Sequence, residues 1–165
     1  MDQHLLAVAL GTEPADLVIT NGQLVNVYSG ETYPGGVAVA GDRIAAVGDV
    51  AYTIGAGTTV IDAGGKYLTP GFIDGHIHPE SANLSLSRFA EVALSHGTTA
   101  VFTDLHEIGV VGGIEAMSAA LEEGKQTPLK FYWLVPSHIP FSPGVETSGG
   151  HIDAGIIEQA MARSD

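Results

Sequence analysis

The sequence predicts an α/β chain in which short, glycine-punctuated strands give way to alternating strand and helix. Three observations predict it. Apolar residues alternate with period two up to about Leu68. From Thr69-Pro70-Gly71 onward, short apolar runs alternate with segments whose apolar residues recur at i, i+3 and i+4. Ionisable residues then cluster just after each of three apolar runs.

In the first part, residues 1–68, Asp2 to Ala9 has the composition of a short helix. Ala15 to Thr20 reads as a strand that meets Asn21-Gly22, a strong hairpin signal. Gln23 to Tyr28 alternates and stops at Ser29-Gly30. Val37 to Ala40 leads through Gly41-Asp42 into Arg43 to Gly48, and Thr59 to Asp62 stops at Ala63-Gly64-Gly65. Strands at this spacing with glycine-rich turns suggest an antiparallel sandwich.

The second part, residues 69–165, reads as three βα units, which implies a parallel sheet. The first is a buried apolar strand at Phe72-Ile73-Asp74 and a helix carrying Leu86, Phe89, Ala90, Ala93 and Leu94, with Gly97 in the place of a C′ residue. The second is Thr99 to Asp104 and a helix from about Ile114 to Glu122, closed by Gly124. The third is Leu129 to Val135, a long loop, and a helix from about Asp153 that carries Ile156, Ile157, Ala160 and Met161.

His76 and His78 end the first strand at spacing i, i+2, which in extended chain places both imidazoles on one face. Neutral imidazole is a ligand for divalent transition metals, so the pair supplies half of a four-coordinate shell. Glu80 follows them, near enough to touch metal or substrate. Asp104, His106 and Glu107 follow the second strand, as outer partners of the ligands or as an accessory metal site. Ser137, His138 and Glu146 follow the third. In a βα barrel these strand ends share the face that carries the active site. His96, before Gly97, suits the negative end of a helix dipole, and His4 falls in the N-terminal helix. His151 stays open between loop and site.

Composition excludes several classes. Nineteen acidic against six basic residues give a formal charge of −13, which disfavours nucleic acid and anionic membranes as partners. No apolar run reaches the roughly 18–20 residues of a membrane span. The first cationic residue is Arg43, so the N-terminus lacks the basic region of a secretory signal. Cysteine is absent, which rules out disulfides and thiolate ligands, and with them the zinc deaminases that act on bases in nucleic acid.

Pro70-Gly71-Phe72-Ile73-Asp74-Gly75-His76-Ile77-His78 after a strand-rich segment resembles the amidohydrolase superfamily. His78-Pro79-Glu80-Ser81, Ser95-His96-Gly97-Thr98-Thr99, Asp104-Leu105-His106-Glu107 and Glu146-Thr147-Ser148-Gly149 are similar to its adenine deaminase branch, as are Ala15 to Gly22 and Val25-Asn26-Val27. Pro79, Leu105 and His138 depart from that pattern. The resemblance implies a (β/α)8 barrel, of which three βα units are present, preceded by part of a small β-sandwich. It implies hydrolytic deamination of adenine to hypoxanthine and ammonia in purine salvage, by a cytoplasmic homo-oligomer with a binuclear divalent metal centre, Mn²⁺ or Fe²⁺ before Zn²⁺. Carried over residue by residue, it gives His76 and His78 as metal ligands. Glu80 and Glu146 are the candidate catalytic carboxylates. The other family ligands find no position here, so the chain reads as the N-terminal portion of a longer enzyme. Alternatives are a hydantoinase, dihydroorotase or deacetylase, or a non-catalytic fragment.

Overall fold

The computed structural model describes residues 2–137 and 139–162. The chain divides into two units, Met1–Pro70 and Gly71–Asp165.

In the first unit, α1 (Gln3–Ala9) is capped by the Asp2 carboxylate, which accepts from Leu5 N at 3.2 Å. Its Val8 is buried with Ala15, Val18, Ala38, Ala40 and Val50. Five strands form one sheet: β1 (Leu17–Val25), β2 (Thr32–Ala40), β3 (Arg43–Gly48), β4 (Thr59–Asp62) and β5 (Tyr67–Leu68). The order is β3-β2-β1-β4, and β5 also pairs with β1. Gly41-Asp42 turns β2 into β3 as expected.

The expected hairpin at Asn21-Gly22 does not form. β1 runs straight through it, antiparallel to β2 on one side and parallel to β4 and then β5 on the other. A two-residue type I′ turn needs positive φ at both central residues. Here only Asn21 has it, at φ 54, and the pair forms an irregularity in the register between Ile19 and Gly22. The expected antiparallel sandwich is, among the described residues, a single mixed sheet with α1 against it. The cause is connectivity: β4 and β5 return along β1 in its own direction.

His4 bridges Glu13 at 2.8 Å and Asp16 at 3.3 Å. The Glu13 and Asp16 carboxylates raise its pKa above the ordinary histidine value. Asp16 is held below the usual carboxylate range, first by the Gly41 N–H and then by His4.

In the second unit β6 (Phe72–Asp74), β7 (Thr98–Thr103) and β8 (Lys130–Trp133) are parallel, in that order. Helices follow them: α2 (Leu86–Ser95), α3 (His106–Gly124) and α4 (Ala154–Met161). Leu86, Leu105, Met117, Leu121, Ile139 and Ile152 form one buried cluster, and Ala90, Val101 and Leu129 another. Asp153 caps α4, and Gly97 ends α2 at φ 88. The Glu123 carboxylate of α3 accepts from both the backbone N–H and the hydroxyl of Ser87 in the first turn of α2. The Ser87 hydroxyl, foremost, lowers its pKa.

Two expectations fail in this unit. The first strand is not buried: Phe72 and Ile73 are 62% and 65% exposed. Among the described residues β6 is an edge strand with only β7 beside it. The second helix begins eight residues earlier than the apolar pattern suggests, at His106. Its first turns carry Gly109, Gly112 and Gly113, which weaken any helix signal. Gly113 breaks the helix at φ 65, ψ −160, a backbone state essentially confined to glycine.

Candidate metal centre

β6 stops at Asp74, so His76 and His78 lie in the loop beyond it and not in the strand. Two local bonds keep this loop in order. The Asp74 carboxylate accepts from His76 N at 3.1 Å, and Ile77 N donates to Phe102 O of β7 at 2.9 Å. Ile77 packs against Ala90, Val101 and Leu129. The residues on either side of it therefore share the opposite face, by the alternation of extended chain. Nε2 of His76 and Nε2 of His78 stand 3.0 Å apart.

The end of β7 supplies the other side. Asp104 Oδ1 lies 3.0 Å from His78 Nδ1 and 3.2 Å from His106 Nδ1. Between Asp104 and His106, Leu105 holds a left-handed φ of 50 with its side chain fully buried. A branched residue pays about 1–2 kcal/mol for that conformation, and burial of the leucine side chain is of a size to offset it. The His106 ring stands edge-on to His78, centroids 4.3 Å apart, and also meets Phe141 at 5.6 Å.

Glu80 lies deeper. Its side chain is 8% exposed, its Oε1 is 3.6 Å from His78 Nδ1, and it accepts weakly from Glu107 N at 3.4 Å. Its Oε2 is buried without a hydrogen-bond partner among the described residues. Glu107 itself is taken by Ser81, whose hydroxyl donates to it at 2.6 Å. His76, His78, Glu80, Asp104, His106 and Glu107, all named from the sequence, thus come together.

Glu146 turns to its own loop. Both its carboxylate oxygens are engaged by its own loop, at 3.0 Å from Phe141 N and 3.0 Å from Ser142 N. His138 falls outside the described residues. His151 is exposed and 3.7 Å from Asp153. His96 points back at Val92 O, 2.9 Å away, as its place in the last turn of α2 suggests. Ile77, Leu105 and Phe141 were not singled out in the sequence as supports of the site. The signal for Ile77 was there, an apolar residue between two histidines.

The residues present fit a divalent ion. Two nitrogens bound to one ion at about 2.0–2.1 Å lie roughly 3–3.4 Å apart, and the two Nε2 atoms meet that spacing. Donor atoms of His76, His78 and Asp104 fall within 4.8 Å of one another. His78 Nδ1 is buried and makes no aligned hydrogen bond among the described residues, although Asp104 is in range.

No family model matches the chain. Adenine deaminase 3 of Rhizobium meliloti is 45% identical over 161 residues, which are 96% of this chain and 27% of that protein. The chain belongs to the adenine deaminase family. It spans about a quarter of the length of the curated relatives it matches, at their N-terminal end. A solved adenine deaminase superposes with a TM-score of 0.54 at 29% identity, over 73% of this chain and 30% of the other. L-Hydantoinase from Arthrobacter aurescens superposes with a TM-score of 0.58 over 77% of this chain and 29% of the other, and at 22% identity it shows the shared fold alone. The α/β fold is thus shared with both of these enzymes. Among the described residues, no helix is long and apolar enough to cross a membrane.

Proposed function

We propose that this adenine deaminase homologue serves hydrolytic deamination of adenine, with His76 and His78 holding one ion of a binuclear divalent centre. The observation that carries the reading is the 3.0 Å approach of the two Nε2 atoms beside Asp104, at the ends of adjacent parallel strands. Strand ends of one sense form the active face of a (β/α)8 barrel, and we take the second unit as the first three βα units of such a barrel. Residues 1–68 and 69–165 then correspond to part of the small β domain and to the start of the barrel. The donor set here is nitrogen and oxygen without sulfur, which suits Mn²⁺ and Fe²⁺, with Zn²⁺ as an alternative.

In the reaction, the oxygen of water forms a bond to C6 of adenine, the C6–N6 bond breaks, and the amine leaves as ammonia. The bound metal supplies Lewis acidity that lowers the pKa of water toward neutrality. The chain's own residues hold and orient. His76 and His78 present two ring nitrogens from one loop. Asp104 and His106 pack behind His78, away from the His76 contact. Glu80, a nearly buried carboxylate with one oxygen unpaired among the described residues, is placed to accept the proton from water and return it toward the substrate. Glu107, tied to Ser81, holds the two strand-end loops together. Glu146 rigidifies the third loop, so its part is support of the rim.

The test is ammonia release by the complete, metal-loaded protein from adenine, adenosine, hydantoins and acetylated amino sugars. Turnover of adenine in preference to the others is expected. Silence on adenine with turnover of a cyclic amide or an acetylated sugar would overturn the substrate assignment.

A further inference from the structure

We propose that Asp104 is a positioning residue whose single oxygen, Oδ1, holds the imidazoles of both His78 and His106 and so fixes which nitrogen His78 offers to a metal ion. The inference rests on the reading of His76 and His78 as metal ligands.

Three contacts meet at that oxygen. It lies 3.0 Å from His78 Nδ1 and 3.2 Å from His106 Nδ1, and it accepts the backbone N–H of His106 at 3.3 Å. On His78 the two ring nitrogens face different ways: Nε2 faces His76 Nε2, and Nδ1 faces Asp104. An imidazole that gives Nε2 to a metal carries its proton on Nδ1, and that N–H then needs an acceptor. His78 Nδ1 is buried, so water does not serve it. Two carboxylate oxygens are near: Asp104 Oδ1 at 3.0 Å and Glu80 Oε1 at 3.6 Å. Asp104 is within hydrogen-bond distance, although the contact is not aligned in this structure, and Glu80 is beyond it.

The backbone is shaped for this sharing. Leu105 adopts φ 50, rare for a branched residue, and its side chain is anchored in the core with Met117 and Ile139. That turn brings Asp104 and His106 onto one side, where the His106 ring closes edge-on against His78 at 84°. The Leu105 N–H donates to the Thr103 hydroxyl at 3.3 Å and its carbonyl accepts from Gly109 N at 2.9 Å, and the strained turn so held places Asp104 and His106.

Asp104 also lies close enough to the histidines to serve as a direct ligand, within 4.8 Å. The two roles separate by experiment. Mn²⁺ binding to the complete protein is measured by competition with a fluorescent chelator, for wild type, Asp104→Asn, Asp104→Ala and His76→Ala. A positioning role predicts unchanged stoichiometry and affinity lowered roughly 10–100-fold in both Asp104 variants. Unchanged affinity would overturn it, as would loss of a whole equivalent of Mn²⁺. A crystal structure of the Mn²⁺-loaded wild type makes the test independent of how the variants fold. It should show the ion on Nε2 of both histidines with Asp104 still on Nδ1, and an Asp104 oxygen bonded to the ion would contradict the proposal. Wild type and His76→Ala binding Mn²⁺ equally would mark failure of the metal reading itself and would refute this inference with it. Lack of adenine turnover alongside the predicted affinities would count against the substrate alone.

Discussion

His76 and His78 converge, Nε2 to Nε2 at 3.0 Å, although neither lies in a strand. Ile77 between them does the aligning. Its N–H continues the β6–β7 ladder onto Phe102 O, and its side chain enters the cluster of Ala90, Val101 and Leu129. The proposed metal centre is therefore built on a hydrophobic contact behind it.

Ile77→Ala should lower stability by about 1–3 kcal/mol, less than a full core truncation because Ile77 is only partly buried. It should also weaken metal binding without touching a ligand. Denaturant unfolding and chelator competition on the same variant check both effects. Loss of stability with metal affinity untouched would separate the two roles.

Glu123 joins α3 to the start of α2 through Ser87. Its folded pKa is lowered, chiefly by the Ser87 hydroxyl. A lowered carboxylate pKa stabilises the fold above the unfolded pKa, and that contribution fades as pH falls through the folded value. Glu123→Gln should thus cost about 1 kcal/mol at neutral pH, and little once the carboxylate is protonated in both states. Thermal unfolding at neutral and acidic pH measures the difference, and an equal cost at both would contradict it.

Gly150 lies against the first turns of α3. Its N–H donates to Val110 O at 2.9 Å, and a Cβ there would strike Gly109 O and stand 2.9 Å from Val110 O. Both obstacles are backbone, so the loop must move. Gly150→Ala should cost on the order of 1–3 kcal/mol and loosen the segment that carries Glu146. Hydrogen exchange across residues 146–151 reads this directly, with faster exchange expected in the variant.

The strand and helix rhythm of the second unit was legible because each element has a buried face with its own period. α2 shows Leu86 and Ala90 buried four apart, and β7 hides Val101 and Thr103 two apart. What escaped had weak or misleading local signals. Asn21-Gly22 has the chemistry of a tight turn, yet pairing of β1 on both sides held the chain straight. The first turns of α3 carry Gly109 and Gly112 and break at Gly113, so local propensity does not announce a helix there. The site was legible where ligand spacing is local, as at His76 and His78. The sharing of Asp104 between two histidines depends on the left-handed turn at Leu105, which no leucine advertises.

A protein made of residues 1–165 alone should release no ammonia from adenine. Among its described residues one group, His76, His78 and Asp104, can hold a metal ion, and a binuclear centre needs further donors. β8 has no further strand beside it among the described residues, and half-exposed Tyr132 lies on it. Such an edge invites self-association. Size-exclusion chromatography and an adenine assay on that polypeptide check the pair, and a monomer with metal-dependent turnover would refute both.

Metal content and ammonia release from adenine, measured on the same preparations of complete wild-type, His76→Ala and His78→Ala protein, test the metal centre most directly. The predicted result is at least one equivalent of divalent metal lost and adenine turnover abolished in each variant, with the thermal unfolding transition retained. Metal content and turnover equal to wild type in both variants would contradict it.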